Sequence, residues 1–269
     1  MYSPRVLNAQ EGVCMPRVIP AVFVMALLGL CLAEQDGLAQ RARGTAPSTR
    51  EQSPGATTAV YPPLFFREDF KFDKSAPNVN DEREPEHVIV AGDVASSNLE
   101  VHVYGDRPGT RTVTQPYNKD ITYVMSLLTT SNWAIALRDK NNDVDLTGLA
   151  MWTWRTRISG FHLLRPIVKL ANGTWLVGDK TVGLSNDWVQ SEFLLGDVRW
   201  RTLDIEQVVE GREAKWVENP DLSKVEEIGF TDLMRGAGHG SGGGSRIDWI
   251  QVTGKPVPRG ASRTTSNKP

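Results

Sequence analysis

Between Leu146 and Ile158 the chain sets Leu146, Ala150, Trp152, Trp154 and Ile158 on even positions and Thr153, Arg155 and Arg157 on odd ones. Side chains alternate in this way along a β-strand, so the segment predicts a strand with one dry face and one wet face. Two tryptophans on the dry face need a second layer above them, which in an all-β chain is another sheet. Shorter segments repeat the pattern. Leu99, Val101 and Val103 alternate with Glu100, His102 and Tyr104, and Leu64 to Phe70 opens a strand after Pro62-Pro63. Further strands are expected at Trp188–Leu195, Trp200–Ile205, Val225–Asp232 and Ile247–Val252. His162–Leu170 and Thr174–Val177 flank Ala171-Asn172-Gly173, and Asn-Gly favours a type I′ hairpin turn. Helical spacing is confined to one turn near Asp120–Leu128. The expectation is an all-β sandwich of two antiparallel sheets.

The N-terminus carries a different signal. Arg17 precedes the apolar run Val18–Ala33, and Gly37 and Ala39 stand at −3 and −1 of a cleavage site, the order found in secretory signal peptides. Met15 heads this pattern more closely than Met1. At 16 residues the run is shorter than the ~20 a membrane helix needs. The mature form is therefore expected to lack a transmembrane anchor and to be secreted or periplasmic. Cys31, after Leu28-Gly29-Leu30, raises a lipoprotein alternative, but a bulky Leu stands where a lipidation signal has a small residue. Both cysteines, Cys14 and Cys31, fall within residues 1–39, so the expected mature domain has no thiol for a disulfide, zinc site or nucleophile.

Residues 40–60 are rich in Ser, Thr, Pro, Gly and Arg without apolar periodicity and are expected to form a disordered linker. Residues 61–258 are the expected sandwich domain, and 259–269 a second disordered tail. Removing Arg5 and Arg17 together with Glu11, Glu34 and Asp36 leaves 28 basic residues against 29 acidic ones. No basic field exists to attract nucleic acid.

The later segments resemble the galactose-binding-like jelly rolls that include many carbohydrate-binding modules. The residues that carry the resemblance are Gly148-Leu149-Ala150-Met151-Trp152, Asp187-Trp188, Asp221 to Phe230 (DLSKVEEIGF) and Ile247-Asp248-Trp249-Ile250-Gln251-Val252. The opening Glu68-Asp69-Phe70 is similar to the first strand of such modules. A concanavalin-like sandwich would leave similar marks. The resemblance implies a jelly-roll β-sandwich that binds a polysaccharide or oligosaccharide. It also implies adjacent first and last strands, where Glu68, Asp69 and Asp248 offer hard oxygen ligands for a structural Ca²⁺ ion.

Sugar rings stack their C–H faces on aromatic planes, so exposed tryptophans mark binding surfaces. Trp152 and Trp154 are expected in the core; Trp133 and Trp175, each beside a turn signal, are the expected platforms. The Gly-rich loop Arg235–Ser245 is expected to border the site, with His239 and Asp232 at its rim. Arg155 and Arg157, joined across a sheet face by Arg165 and Lys169, would form a cationic groove for an anionic polysaccharide. The alternative is a secreted glycan-degrading enzyme, a glycoside hydrolase or polysaccharide lyase. Hydrolysis needs two carboxylates across a sugar bond; Glu192, Asp204 and Glu206, expected on adjacent strands, are the candidates. His87, His102, His162 and His239 match no metal-ligand spacing.

Overall fold

The computed structural model describes residues 60–77, 85–114, 121–126, 131–185, 187–211, 215–233 and 244–259. The expected signal peptide (1–39), almost all of the linker (40–60) and of the tail (259–269), and the Gly-rich loop with His239 up to residue 243 lie outside the described residues. No helix among those described is long and apolar enough to cross a membrane.

The strands in chain order are β1 (Leu64–Glu68), β2 (Glu86–Val88), β3 (Leu99–Gly105), β4 (Thr110–Thr114), β5 (Thr122–Ser126) and β6 (Trp133–Asp139). Then come β7 (Asn142–Asp145), β8 (Met151–Ser159), β9 (Leu164–Leu170), β10 (Trp175–Gly178), β11 (Val189–Leu194) and β12 (Trp200–Asp204). The last are β13 (Val209–Glu210), β14 (Trp216–Val217), β15 (Val225–Asp232), β16 (Gly244–Thr253) and β17 (Lys255–Pro258). They form two antiparallel sheets, the jelly-roll sandwich expected. One sheet has seven strands in the order β11-β8-β16-β5-β4-β2, with β1 beside the end of β16. The other has ten, in the order β13-β12-β10-β9-β15-β6-β3, with β14 beside β12 and the β7–β17 pair at the start of β15.

The core lies between the sheets. From the seven-stranded sheet, Trp152 stacks on Phe193 at 6.0 Å and meets Trp154 edge-on at 5.4 Å. Both indoles are fully buried, as the alternation requires. Trp133 and Phe230 face them from the ten-stranded sheet, ring centroids 6.1 Å apart. Burying a large apolar side chain contributes roughly 1.5–3 kcal/mol. Stacking beyond area burial is worth only about 1 kcal/mol, so the fold gains more from tryptophans inside than from tryptophans kept out as platforms.

Two local expectations change. The stretch read as a helical turn near Asp120–Leu128 contains strand β5, paired with β4 and β16. The hairpin at Ala171-Asn172-Gly173 forms, but only Gly173 takes a positive φ, at 83°. Its N–H bonds to the Leu170 carbonyl at 2.9 Å. This is a three-residue loop closed by a left-handed glycine, where type I′ would also need a positive φ at Asn172.

Candidate functional site

The outer face of the ten-stranded sheet gathers polar and aromatic side chains from several strands. Strand alternation sets it up. Val101 and Val103 of β3 pack inward, so His102 and Tyr104 point outward. On β6, Ile135 and Leu137 enter the core, leaving Ala134, Ala136 and Arg138 on the outer side. β15 adds Glu227 and Gly229, β9 adds Arg165, Ile167 and Lys169, and β10 adds Trp175 and Val177.

These strands bend into a trough. Laid flat, β3 and β10 would stand four spacings apart, about 19 Å. Yet the Tyr104 and Trp175 rings meet edge-to-face at 5.2 Å. They meet because the sheet curls toward this side and the strands between carry small groups, Ala134, Ala136 and Gly229. A Cβ on Gly229 would strike the Ile135 carbonyl oxygen at 2.0 Å. Trp175 lies at the bottom, packed with Ala134, Ala136, Ile167, Val177, Leu203 and Val208. Tyr104 remains half-buried above it.

A cavity of about 520 Å³ opens beside Tyr104, lined on its polar side by His102, Arg107, Arg138, Lys169 and Glu227. Glu227 organises it. His102 Nδ1 stands 2.8 Å from its carboxylate, Lys169 Nζ donates at 3.1 Å and the Tyr104 hydroxyl at 3.2 Å. A β-bulge explains the doublet of acids. β15 advances two residues, Val225 to Glu227, while β9 advances one, Leu170 to Lys169. Consecutive residues Glu226 and Glu227 therefore both reach the Lys169 ammonium, at 3.2 and 3.1 Å.

Burial alone would raise the Glu227 pKa. Hydrogen bonds and charge from His102 and Lys169 outweigh it and hold the carboxyl below the ordinary glutamate range. Burial, and then the Glu227 charge, push the Tyr104 phenol well above its usual value. Burial would lower Lys169, but bonds to Glu227 and Glu226 raise it above normal. At neutral pH the cluster thus holds a carboxylate, an ammonium and a neutral phenol. A glutamate held ionised at neutral pH and tied to a lysine is poorly suited to act as a general acid. The face offers donors and acceptors beside an aromatic ring.

Toward the opposite margin, Glu210 bridges Arg165 and Arg201, the latter at 2.7 Å. These bonds overcome the burial that would raise Glu210 and bring it below its usual value. Arg201 and Arg199 lie over the ring of Trp216, at 4.1 and 4.2 Å. Trp216 is paired across from Arg201 and 36% exposed, which makes it the exposed indole of this face.

Several expected site residues lie elsewhere. Trp133 is 1% exposed in the core and Trp175 6% exposed under Tyr104, so neither is an exposed platform. Asp232 is buried rather than at a rim; His162 Nδ1 lies 2.5 Å from its carboxylate and Ser245 Oγ donates at 2.7 Å. Arg155 and Arg157 sit on the outer face of the seven-stranded sheet and Arg165 and Lys169 on that of the ten-stranded sheet. The four cannot form one groove, because the core separates them. Arg155 instead pairs with Asp248 at 2.5 Å.

The proposed acids do not meet either. Glu192 is on β11 at the edge of the seven-stranded sheet, whereas Asp204 ends β12 in the other. Asp204 and Glu206 are exposed neighbours in one turn, where Asp204 accepts the Glu206 N–H at 3.1 Å. β1 does pair with β16, which brings the first and late strands together. Glu68, however, is fully buried and accepts N–H groups from Phe70, Ala95 and Ser96 at 2.7–3.1 Å. Burial pushes its carboxyl up. Asp69 binds Arg67, and among the described residues no group of three or more His, Cys, Asp or Glu side chains is placed to hold a metal ion.

No family model and no curated protein matches the chain. Among solved structures it is similar to a family 11 carbohydrate-binding module from Clostridium thermocellum in complex with a β-1,3-1,4-mixed-linked tetrasaccharide. Identity is 14%, coverage 72% of this chain and 98% of that one, and the TM-score 0.34. A family 29 module complexed with cellulohexaose gives 13% identity, coverage of 65% and 95%, and a TM-score of 0.34. A further family 29 module, from Piromyces equi, gives 10%, coverage of 60% and 83%, and 0.34.

Proposed function

We propose that this chain is an exported, non-catalytic carbohydrate-binding protein, and that a polysaccharide or oligosaccharide chain lies along the outer trough of the ten-stranded sheet. The observation that supports the reading is the half-buried Tyr104 ring, braced from below by Trp175 and flanked by the His102–Glu227–Lys169 cluster. A sugar presents an apolar C–H face and a rim of hydroxyls. The trough offers an aromatic surface beside fixed donors and acceptors, which matches both. Trp216 at the other margin is capped by Arg199 and Arg201, so the stacking surface is Tyr104. The apolar segment Val18–Ala33 and the confinement of both cysteines to residues 1–39 support export.

The test is retention on a panel of insoluble glycans and affinity gels for wild type and Tyr104→Ala. Losing one stack of about 1 kcal/mol lowers affinity roughly fivefold. The expected result is weaker retention by a variant that still melts cooperatively, its midpoint lowered by about 2–8 °C because the ring also packs on Trp175 and bonds to Glu227. Equal retention by a folded variant, or no retention of any glycan by wild type, would overturn the assignment.

A further inference from the structure

The arginines of the trough divide into two kinds. Arg165 and Arg201 share Glu210, so their charge is already matched. Arg107 and Arg138 line the cavity beside Tyr104 and form no ion pair among the described residues. The Nε groups of Arg138 and Arg201 are both buried without a hydrogen-bond partner, but Arg201 has Glu210 for its charge, whereas Arg138 has no carboxylate among the described residues. Glu100 stands opposite it in register on β3, yet its side chain is exposed and makes no ion pair with Arg138. The other cation of the cavity, Lys169, is held by two carboxylates. Set against the single lining carboxylate, Glu227, the wall carries an excess of positive charge, and that excess resides on two unpaired guanidinium groups.

A desolvated donor without a partner is costly to keep, and a planar guanidinium is shaped to take a carboxylate or sulfate oxygen pair. We infer that the glycan bound in this trough is acidic, a uronic-acid or sulfated polysaccharide whose anionic group docks on Arg138 with Arg107 at the rim. The inference rests on the carbohydrate-binding reading above and narrows its ligand class. The anion pocket adjoins Tyr104, so one sugar residue can stack on the ring while its acid group reaches Arg138.

The experiment measures binding of a homogalacturonan oligosaccharide, its fully methyl-esterified form and a neutral mixed-linkage glucan by titration calorimetry. Wild type, Arg138→Gln and Arg107→Gln are compared, with melting curves as the folding control. The acid form is expected to bind wild type roughly ten- to a hundredfold more tightly than the ester, the range of charge-assisted hydrogen bonds. Arg138→Gln should erase that preference and Arg107→Gln reduce it. If Arg138→Gln fails to fold, the acid-to-ester ratio of wild type and of Arg107→Gln decides alone. Equal binding of acid, ester and neutral glucan overturns the inference and leaves carbohydrate binding standing. Full displacement of the acid form by inorganic phosphate at equal concentration also overturns it, since the pocket then selects small anions. Failure of every glycan to bind overturns both readings.

Discussion

Replacing Glu227 by Gln tests whether the polar cluster of the trough is held together by a buried negative charge. The wild-type carboxylate is 2% exposed and meets His102 Nδ1, Lys169 Nζ and the Tyr104 hydroxyl. Glutamine keeps one carbonyl acceptor but turns an amide N–H₂ toward groups that are themselves donors. Breaking a buried ion pair by removing one partner costs about 3–5 kcal/mol. Here Lys169 is a quarter exposed and keeps Glu226, so a loss of about 2–3 kcal/mol is expected. For a domain of this size that lowers the melting midpoint by roughly 4–12 °C. Because the folded-state pKa of Glu227 is depressed, its contribution is present above the unfolded value and is lost as pH falls through the folded one. The gap between wild type and variant should therefore be full at pH 7 and close below about pH 4. Differential scanning calorimetry across that range measures it. A gap under 1 °C at pH 7, or one unchanged at pH 3, would refute the reasoning.

Gly229→Ala should destabilise the fold by about 1–3 kcal/mol, because the new methyl group meets a backbone carbonyl that cannot step aside; denaturant melts showing no shift would contradict the close approach of β15 and β6. The melting midpoint should be unchanged by EDTA, since Glu68, Asp69 and Asp248 already have protein partners. A fall of 5 °C or more, restored by Ca²⁺, would show instead that these carboxylates hold calcium.

The sandwich was legible wherever alternation was strong and sequence-local. Trp152, Trp154 and Ile158 announce the core by themselves, and Val225–Asp232 coincides with β15 to the residue. β6 was harder to read, because Trp133-Ala134-Ile135-Ala136-Leu137 is apolar throughout; its alternation is one of size, large residues into the core and alanines onto the trough floor. That size alternation was the available signal for a second, crowded face. The site itself was not legible. Tyr104, His102, Arg138, Lys169 and Glu227 come from four strands, and their neighbourhood is created by sheet order and curl, which no local pattern encodes. The Glu226-Glu227 doublet inside an alternating strand was a faint cue to a bulge. Tryptophan count misled, because burial outbids exposure for most indoles, and the ring that matters most in the trough is a tyrosine.

The trough is stitched together from parts of the chain that lie far apart in sequence. His102 and Glu227 are 125 positions apart, and Lys169 and Glu227 are 58 apart. Each such pairing closes a long loop before any contact rewards it, the circumstance that slows folding of sheet proteins. Tyr104 meets Trp175 across β6, β15 and β9, which lie between their strands. The same strands β6 and β15 carry Trp133 and Phe230 into the core on one side and the trough floor on the other, so closing the core over Trp152 and Trp154 also builds the trough. Ligand capture at that face would therefore report the same joining of the two sheets that buries Trp152 and Trp154.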